Sequence, residues 1–132
     1  MNTVDLANNL LHTINPHAFL NVPVLFSLYF HCNNVELLEK GNFNFLGECQ
    51  AYIDLSNNNI SFLDSGVFER TVAGTLSVDL SANALESVPE NVFDNYIFEH
   101  IDLGCNPIVE LSRLYENNSS ISYVYVNTTF LD

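Results

Sequence analysis

Five asparagines recur along this chain at intervals of about 24 residues, each at the same place in a pattern of aliphatic side chains. They are Asn9, Asn33, Asn58, Asn83 and Asn106. The stretch I-D-L-S-N-N-N-I-S-F-L (53–63) shows the pattern, with aliphatic residues at fixed positions before and after the asparagine. A unit with apolar side chains on one side only cannot bury them alone, so units of this kind must stack on one another. The spacing therefore predicts a repeat solenoid.

Each coil is predicted to begin with a short strand. In the third coil, Ile53 and Leu55 alternate with Asp54, which places the aliphatic side chains inward and the carboxylate outward. Stacked in parallel, such strands form one concave sheet of about six members. Where the chain turns out of the strand, an inward asparagine supplies both a donor and an acceptor to buried backbone groups. The five asparagines are therefore predicted to form a structural ladder along the solenoid.

The pattern assigns the whole chain, residues 1–132, to a single solenoid domain. Its approximate coils are 1–24, 25–49, 50–74, 75–97, 98–120 and a partial coil at 121–132. In the partial coil, Thr129 stands where the ladder asparagine would be, and no cysteine-rich cap flanks either end. We therefore expect a piece of a longer solenoid or a poorly capped one, with apolar surface at an open edge.

A second column of identical residues indicates which class of repeat solenoid the chain resembles. Phe19, Phe43, Phe68 and Phe93 fall at one position on the far side of successive coils, where their rings can stack as a spine. The repeated L-x-L-x-x-N-x-L-x-x-L pattern resembles the leucine-rich repeat family over almost the whole chain. A unit of about 24 residues with a phenylalanine spine is similar to the "typical" class of extracellular receptors and proteoglycans. That resemblance implies an α/β-type leucine-rich repeat solenoid, with a convex side of loops and short 3-10 or helical turns.

The charge of the chain restricts its partners. Sixteen acidic residues against three basic ones give a net charge of −13 at pH 7. Repulsion therefore excludes nucleic acids and anionic membrane surfaces as partners, whereas a basic protein ligand fits. The longest nearly apolar run, residues 22–30, is too short to span a bilayer, so we expect no membrane insertion by this segment.

The concave face is where we expect binding, because the outward residues of successive strands form a grid there. Tyrosines and acids alternate on this predicted surface, and tyrosine combines apolar area with a polar tip. The candidate ligand-binding residues are Tyr29, Tyr52, Asp54, Asp79, His100, Asp102 and Tyr125. A further column of the predicted grid contains residues 26, 51, 76 and 99, so Glu99 is predicted to lie beside Leu76 on the neighbouring strand. The alternative stays open that the aspartates are structural, since Asp in D-L-S-x-N is a frequent residue of the family.

Catalysis is not expected. His31 and Cys32 are adjacent, but neighbouring residues at a strand end point in different directions, and no third group orients the imidazole. The histidines lack metal-ligand spacing, and no glycine-rich phosphate loop is present. We therefore predict a non-enzymatic module with no catalytic residue, metal or cofactor.

Two locations remain open. The repeat class favours an extracellular or cell-surface receptor, adhesion or defence protein, and four glycosylation sequons begin at Asn59, Asn117, Asn118 and Asn127. Three cysteines that no predicted geometry brings together favour a reducing compartment instead. The alternative is therefore an intracellular scaffold or regulatory subunit.

Overall fold

The computed structural model describes residues 3–19, 26–43, 50–68, 75–94, 97–109 and 124–126. Its strands are β1 (Thr3–Asp5), β2 (Ser27–Tyr29), β3 (Leu37–Leu38), β4 (Ala51–Asp54), β5 (Phe62–Leu63), β6 (Thr75–Asp79), β7 (Ile97–Asp102) and β8 (Val124–Tyr125). Six of them form one parallel sheet in the order β1-β2-β4-β6-β7-β8, and β3 pairs with β5 in a second, parallel sheet. The predicted six-stranded parallel sheet and the solenoid arrangement are confirmed.

The predicted 3-10 or helical turns on the convex side are not shown. In the ranges given above, the structure contains no helix, and the far side of the coils is made of hydrogen-bonded turns. In the third coil, for example, the N–H of Val67 donates to the carbonyl oxygen of Asp64 at 3.1 Å. A single turn of this kind reverses the chain without adding a helical segment.

The second sheet ends at β5 for a local reason. In the third coil, the N–H of Asp64 donates to the carbonyl oxygen of Leu38 at 2.9 Å. Pro89 holds the equivalent position in the fourth coil, six residues after its ladder asparagine. Because proline has no N–H, the fourth coil cannot repeat this bond to the third.

The apolar columns form the core. Leu28, Ile53, Val78 and Ile101 lie in register on β2, β4, β6 and β7, and each is fully buried. The first coil is less covered, because the structure describes a neighbouring coil on one side of it only. Its aliphatic residues Val4, Leu6 and Leu11 are accordingly only partly buried.

The phenylalanine spine occupies the far side of the core. Phe43, Phe68 and Phe93 stack in sequence, with ring centroids 5.7 and 6.0 Å apart. Phe98 packs edge-on against both Phe68 and Phe93. Phe19 is also buried, and its ring contacts Phe30 edge-on at 6.1 Å.

Phe98 also changes the register of β7. The columns read from the sequence paired Leu76 with Glu99, but the structure pairs Leu76 with Phe98 and Ser77 with His100. Glu99 is therefore the extra residue of a β-bulge, and the sequence-based pairing of Glu99 is wrong. The physical reason is that the buried Phe98 packs edge-on against both Phe68 and Phe93, whereas burial of a glutamate among these rings would be costly.

The turn after each strand has the same backbone conformation. The residue before every ladder asparagine has φ between 53° and 57°, in the left-handed region. These residues are Asn8, Cys32, Asn57, Ala82 and Cys105. Asparagine adopts this conformation more readily than alanine or cysteine, so the turns at Cys32, Ala82 and Cys105 depend on their neighbours for support.

The ladder asparagines join successive coils. The Nδ2 group of Asn58 donates to the carbonyl oxygens of Leu55 in its own coil and Phe30 in the preceding coil. Its Oδ1 accepts the N–H of Val35 at 3.1 Å, also in the preceding coil. Asn33, Asn83 and Asn106 repeat this arrangement. Burial differs along the ladder: Asn33 and Asn106 are buried, Asn58 and Asn83 half-buried, and Asn9 exposed.

Asn42 is a buried polar residue that the sequence pattern did not single out. It occupies the column of the buried Val67 and Val92, yet it is only 1% exposed. Its Nδ2 donates to the carbonyl oxygen of Ile14 at 3.0 Å, and its Oδ1 accepts the N–H of Glu39 at 2.6 Å. Asn42 therefore links the second coil to the first on the far side of the solenoid.

The substitution Asn42→Val is expected to destabilise the fold, although valine occupies the same column in the next two coils. Two backbone groups would lose their buried partners, which typically costs about 1–3 kcal/mol. The free energy of unfolding from a denaturant titration measures the effect. Asn34→Val, at an exposed position, is the control and should leave the stability nearly unchanged. Equal stability of both variants would contradict a linking role for Asn42.

Candidate binding surface on the concave sheet

The predicted ligand-binding residues fall into two neighbouring columns of the large sheet. The central column runs across the strands as Asp5, Tyr29, Asp54, Asp79, Asp102 and Tyr125. The adjacent column contains Ser27, Tyr52, Ser77 and His100. All seven candidates thus belong to one concave surface. Their role in binding stays a prediction.

The aspartates of the central column also have a structural role. Oδ1 of Asp54 accepts the N–H of Ser56 at 3.0 Å and its hydroxyl at 2.6 Å. Asp79 makes the same pair of bonds with Ser81. Each aspartate thereby closes the turn that follows its strand, as short polar side chains do in Asx-turns. These bonds use one carboxylate oxygen and leave Oδ2 outside the turn.

Three aromatic side chains cluster on the same face. Tyr29 lies between Tyr52 and His31, with ring centroids 6.0 and 6.1 Å away, respectively. The Tyr29–His31 contact is edge-to-face, at 81°, and the Tyr29–Tyr52 contact is tilted, at 59°. We call Tyr29, His31 and Tyr52 the aromatic group. All three side chains are partly exposed, so this group is open to a ligand.

His31 was not among the predicted binding residues. Its Nδ1 lies 3.3 Å from Oδ2 of Asp54, but the two atoms are not aligned as a hydrogen bond. The two side chains therefore form an ion pair only when the imidazole of His31 is protonated. The sequence does contain one signal that places His31 on this face: it follows Tyr29 by two residues and so lies on the same side of the sheet.

The surroundings of Tyr52 disfavour ionisation of its hydroxyl group. Burial, followed by the negative charges of Asp54 and Asp79, raises the pKa of Tyr52 from 10.0 to about 12. The smaller contributions come from Tyr29 and Asp102. The hydroxyl group therefore stays protonated to a more alkaline pH than that of an ordinary tyrosine, and in this form it can donate a hydrogen bond.

This shift has a consequence at alkaline pH. The folded pKa of Tyr52 lies above its unfolded value, so the unfolded state releases the proton first and the fold loses stability between about pH 10 and 12. A titration of the tyrosine ring signals by NMR should show Tyr52 ionising near pH 12. Asp54→Asn should lower that pKa, whereas Glu36→Gln, away from this sheet, should not. A Tyr52 pKa of about 10 in the unmodified protein would contradict the described environment.

Tyr125 lies at the other end of the central column. A Cβ atom at Gly104 would come within 3.0 Å of Asp102 Oδ1 and 3.3 Å of the Tyr125 ring. The absence of a side chain at Gly104 thus leaves room for that ring beside the Asp102 turn. Tyr125 itself remains 40% exposed.

The other predicted features lie away from this face or outside the described residues. Asn59, the first sequon, is exposed, and its N–H donates to the carbonyl oxygen of Val35. Asn117, Asn118 and Asn127 lie outside the described residues, as does Cys49. The thiols of Cys32 and Cys105 are exposed and free.

The part of the chain that the structure describes contains neither a cluster of metal ligands nor a helix that could span a membrane. No group of three or more His, Cys, Asp or Glu side chains there could hold a metal ion. That part also contains no helix with the length and apolar character needed to cross a membrane.

Comparison with protein-family models finds no family that matches the chain, and comparison with curated proteins finds no match. A function is therefore proposed from the residues of the surface itself.

Proposed function

We propose that this chain is a leucine-rich repeat module of the "typical" class that recognises a protein ligand on its concave face and catalyses no reaction. The observation that carries the proposal is the in-register row of tyrosines and aspartates on one parallel sheet. Such a sheet holds its side chains in fixed positions, so little conformational entropy is lost when a ligand binds. Tyrosine is enriched in protein interfaces because it combines apolar area with a hydrogen-bonding tip.

The charge of the surface indicates a basic ligand. Asp54, Asp79 and Asp102 are neighbours on three successive strands, and each is partly exposed. Within the described ranges, the only lysine or arginine is Lys40, which follows β3 of the second sheet. A basic partner would therefore complement charges that no lysine or arginine in the described part of this face neutralises, and it would associate faster at low salt.

We propose an extracellular or cell-surface receptor, adhesion or defence protein as the setting of this module. The resemblance of the repeat class supports that setting. The exposed free thiols of Cys32 and Cys105 support the alternative, an intracellular scaffold or regulatory subunit. Both settings use the same recognition surface.

Site-specific photo-crosslinking tests which face binds. A photoreactive residue placed at Ser77, beside Tyr52, probes the concave face, and one at the exposed Ser61 probes the flank of the solenoid. With the same protein extract, the Ser77 probe should capture a protein that the Ser61 probe does not. The captured protein, once purified, should bind the unmodified chain directly. Capture from Ser61 alone would place recognition on the flank and overturn the proposal.

A further inference from the structure

The aromatic group and the aspartates together define a smaller feature within the concave face. Tyr29 stands between two carboxylates in its own column, since it pairs with Asp5 on β1 and with Asp54 on β4. Tyr52 lies one column away and one strand over, in ring contact with Tyr29. An exposed pair of phenol rings thus adjoins a row of negative charges.

We propose that this feature receives an arginine side chain of the protein partner, stacked on Tyr29 and Tyr52 with its guanidinium group facing Asp54 and Asp79. This inference rests on the proposed function and names the residue type by which the partner is anchored. The face of an aromatic ring attracts a cation. The planar guanidinium group can stack on a ring and donate hydrogen bonds to carboxylates at the same time.

The hydrogen bonds of the aspartates fix where such a cation would bind. Oδ1 of Asp54 and of Asp79 is engaged by the N–H and hydroxyl of Ser56 and Ser81, respectively. The turns thus orient both carboxylates and leave their Oδ2 atoms for an external donor. The carboxylates are therefore held in position before the ligand arrives, which reduces the entropic cost of binding.

Tyr52 supports the same assignment. Burial and then Asp54 and Asp79 raise its pKa, so the two carboxylates impose a negative potential at its hydroxyl group. A positive charge at this place would relieve that potential. His31, 3.3 Å from Oδ2 of Asp54, is the chain's own potential cation here, and its protonation would compete for one carboxylate. The structure places Asp54 on β4 beside His31, and Asp79 follows Asp54 on the next strand, β6.

The test uses two short peptides of known composition. One is acetyl-Gly-Gly-Arg-Gly-Gly-amide, and the other carries citrulline, which is neutral and nearly isosteric, in place of arginine. The titrations follow the tyrosine ring signals of the full chain by NMR at pH 7.5 and low salt. The arginine peptide should shift the signals of Tyr29 and Tyr52, and its affinity should exceed that of the citrulline peptide by about fivefold or more.

Matched variants assign the effect to individual residues. Tyr29→Leu should weaken arginine binding by about fivefold, whereas Tyr125→Leu, in the same column at the other end of the sheet, should leave it within about twofold. Asp79→Asn should also weaken arginine binding while keeping an oxygen for the turn bond to Ser81.

An equal affinity for both peptides, an equal loss in the two tyrosine variants, or no shift of the Tyr29 and Tyr52 signals would overturn the inference. A protein captured through Ser77 that binds Tyr29→Leu as tightly as the unmodified chain would also overturn it, yet would leave the proposed function standing.

Discussion

Phe68→Ala is expected to destabilise the protein by about 3–5 kcal/mol, which is at the upper end of the loss that truncation of a single buried side chain causes. Phe68 is fully buried and its ring contacts Phe43, Phe93 and Phe98. Removal of the ring therefore leaves a cavity bordered by three other rings. It also interrupts the stack that runs from Phe43 in the second coil to Phe93 in the fourth. The free energy of unfolding in a denaturant titration measures this loss.

Phe62→Ala is the matched control. It removes the same ring from the same coil, but Phe62 is 56% exposed on the second sheet. Its loss should cost less than about 1 kcal/mol, in the usual range of exposed sites. Equal destabilisation by the two substitutions would contradict the described core.

Asn106→Ala is expected to be the most damaging change in the asparagine ladder, near the upper end of about 1–3 kcal/mol for unsatisfied buried groups. Asn106 is 1% exposed. It donates to the carbonyl oxygens of Leu80 and Leu103 and accepts the N–H of Leu85. Alanine would leave these backbone groups of two coils without partners.

The ladder offers its own controls for that measurement. Asn59→Ala, at an exposed position beside Asn58 and outside the left-handed backbone region, should change the stability little. Asn9→Ala should cost less than Asn106→Ala, because Asn9 is exposed and, among the described residues, its side chain bonds only to Leu6 and Ala7 of its own coil. If the loss at Asn9 matched that at Asn106 in denaturant titrations, the bonds between coils would contribute nothing measurable.

The sheet could be predicted from the sequence because the same pattern of aliphatic residues and asparagine recurs in successive coils. Asp54, Asp79 and Asp102 stand at one position of successive units, and the in-register parallel strands bring them side by side. The turns on the far side could not be predicted in the same way, since no repeated residue type fixes their hydrogen bonds. Asn42 illustrates the difficulty, because its partner Ile14 lies in another coil, 28 residues away.

The candidate surface was predictable in its columns but not in its contacts. Strand alternation placed Tyr29 and Tyr52 on one face, whereas the bulge at Glu99 arose from burial of Phe98 among other rings, which is a tertiary effect. His31 was missed because it lies beyond the end of β2 and so outside the columns of strand residues. Its approach to Asp54 depends on a neighbouring coil and so on the stacked structure.

The central claim is that the concave face recognises a protein through its tyrosines and carboxylates. The most direct measurement uses the protein captured through Ser77. Its affinity is compared for two double variants of the chain, each of which lacks two negative charges. Asp54→Asn combined with Asp79→Asn removes two of the concave charges but retains an oxygen for each turn. Glu36→Gln combined with Glu86→Gln removes two exposed charges of the flank. The concave pair should weaken binding by about tenfold or more and reduce its salt dependence, while the flank pair stays within about twofold. A loss confined to the flank pair, with both variants folded, would contradict the claim.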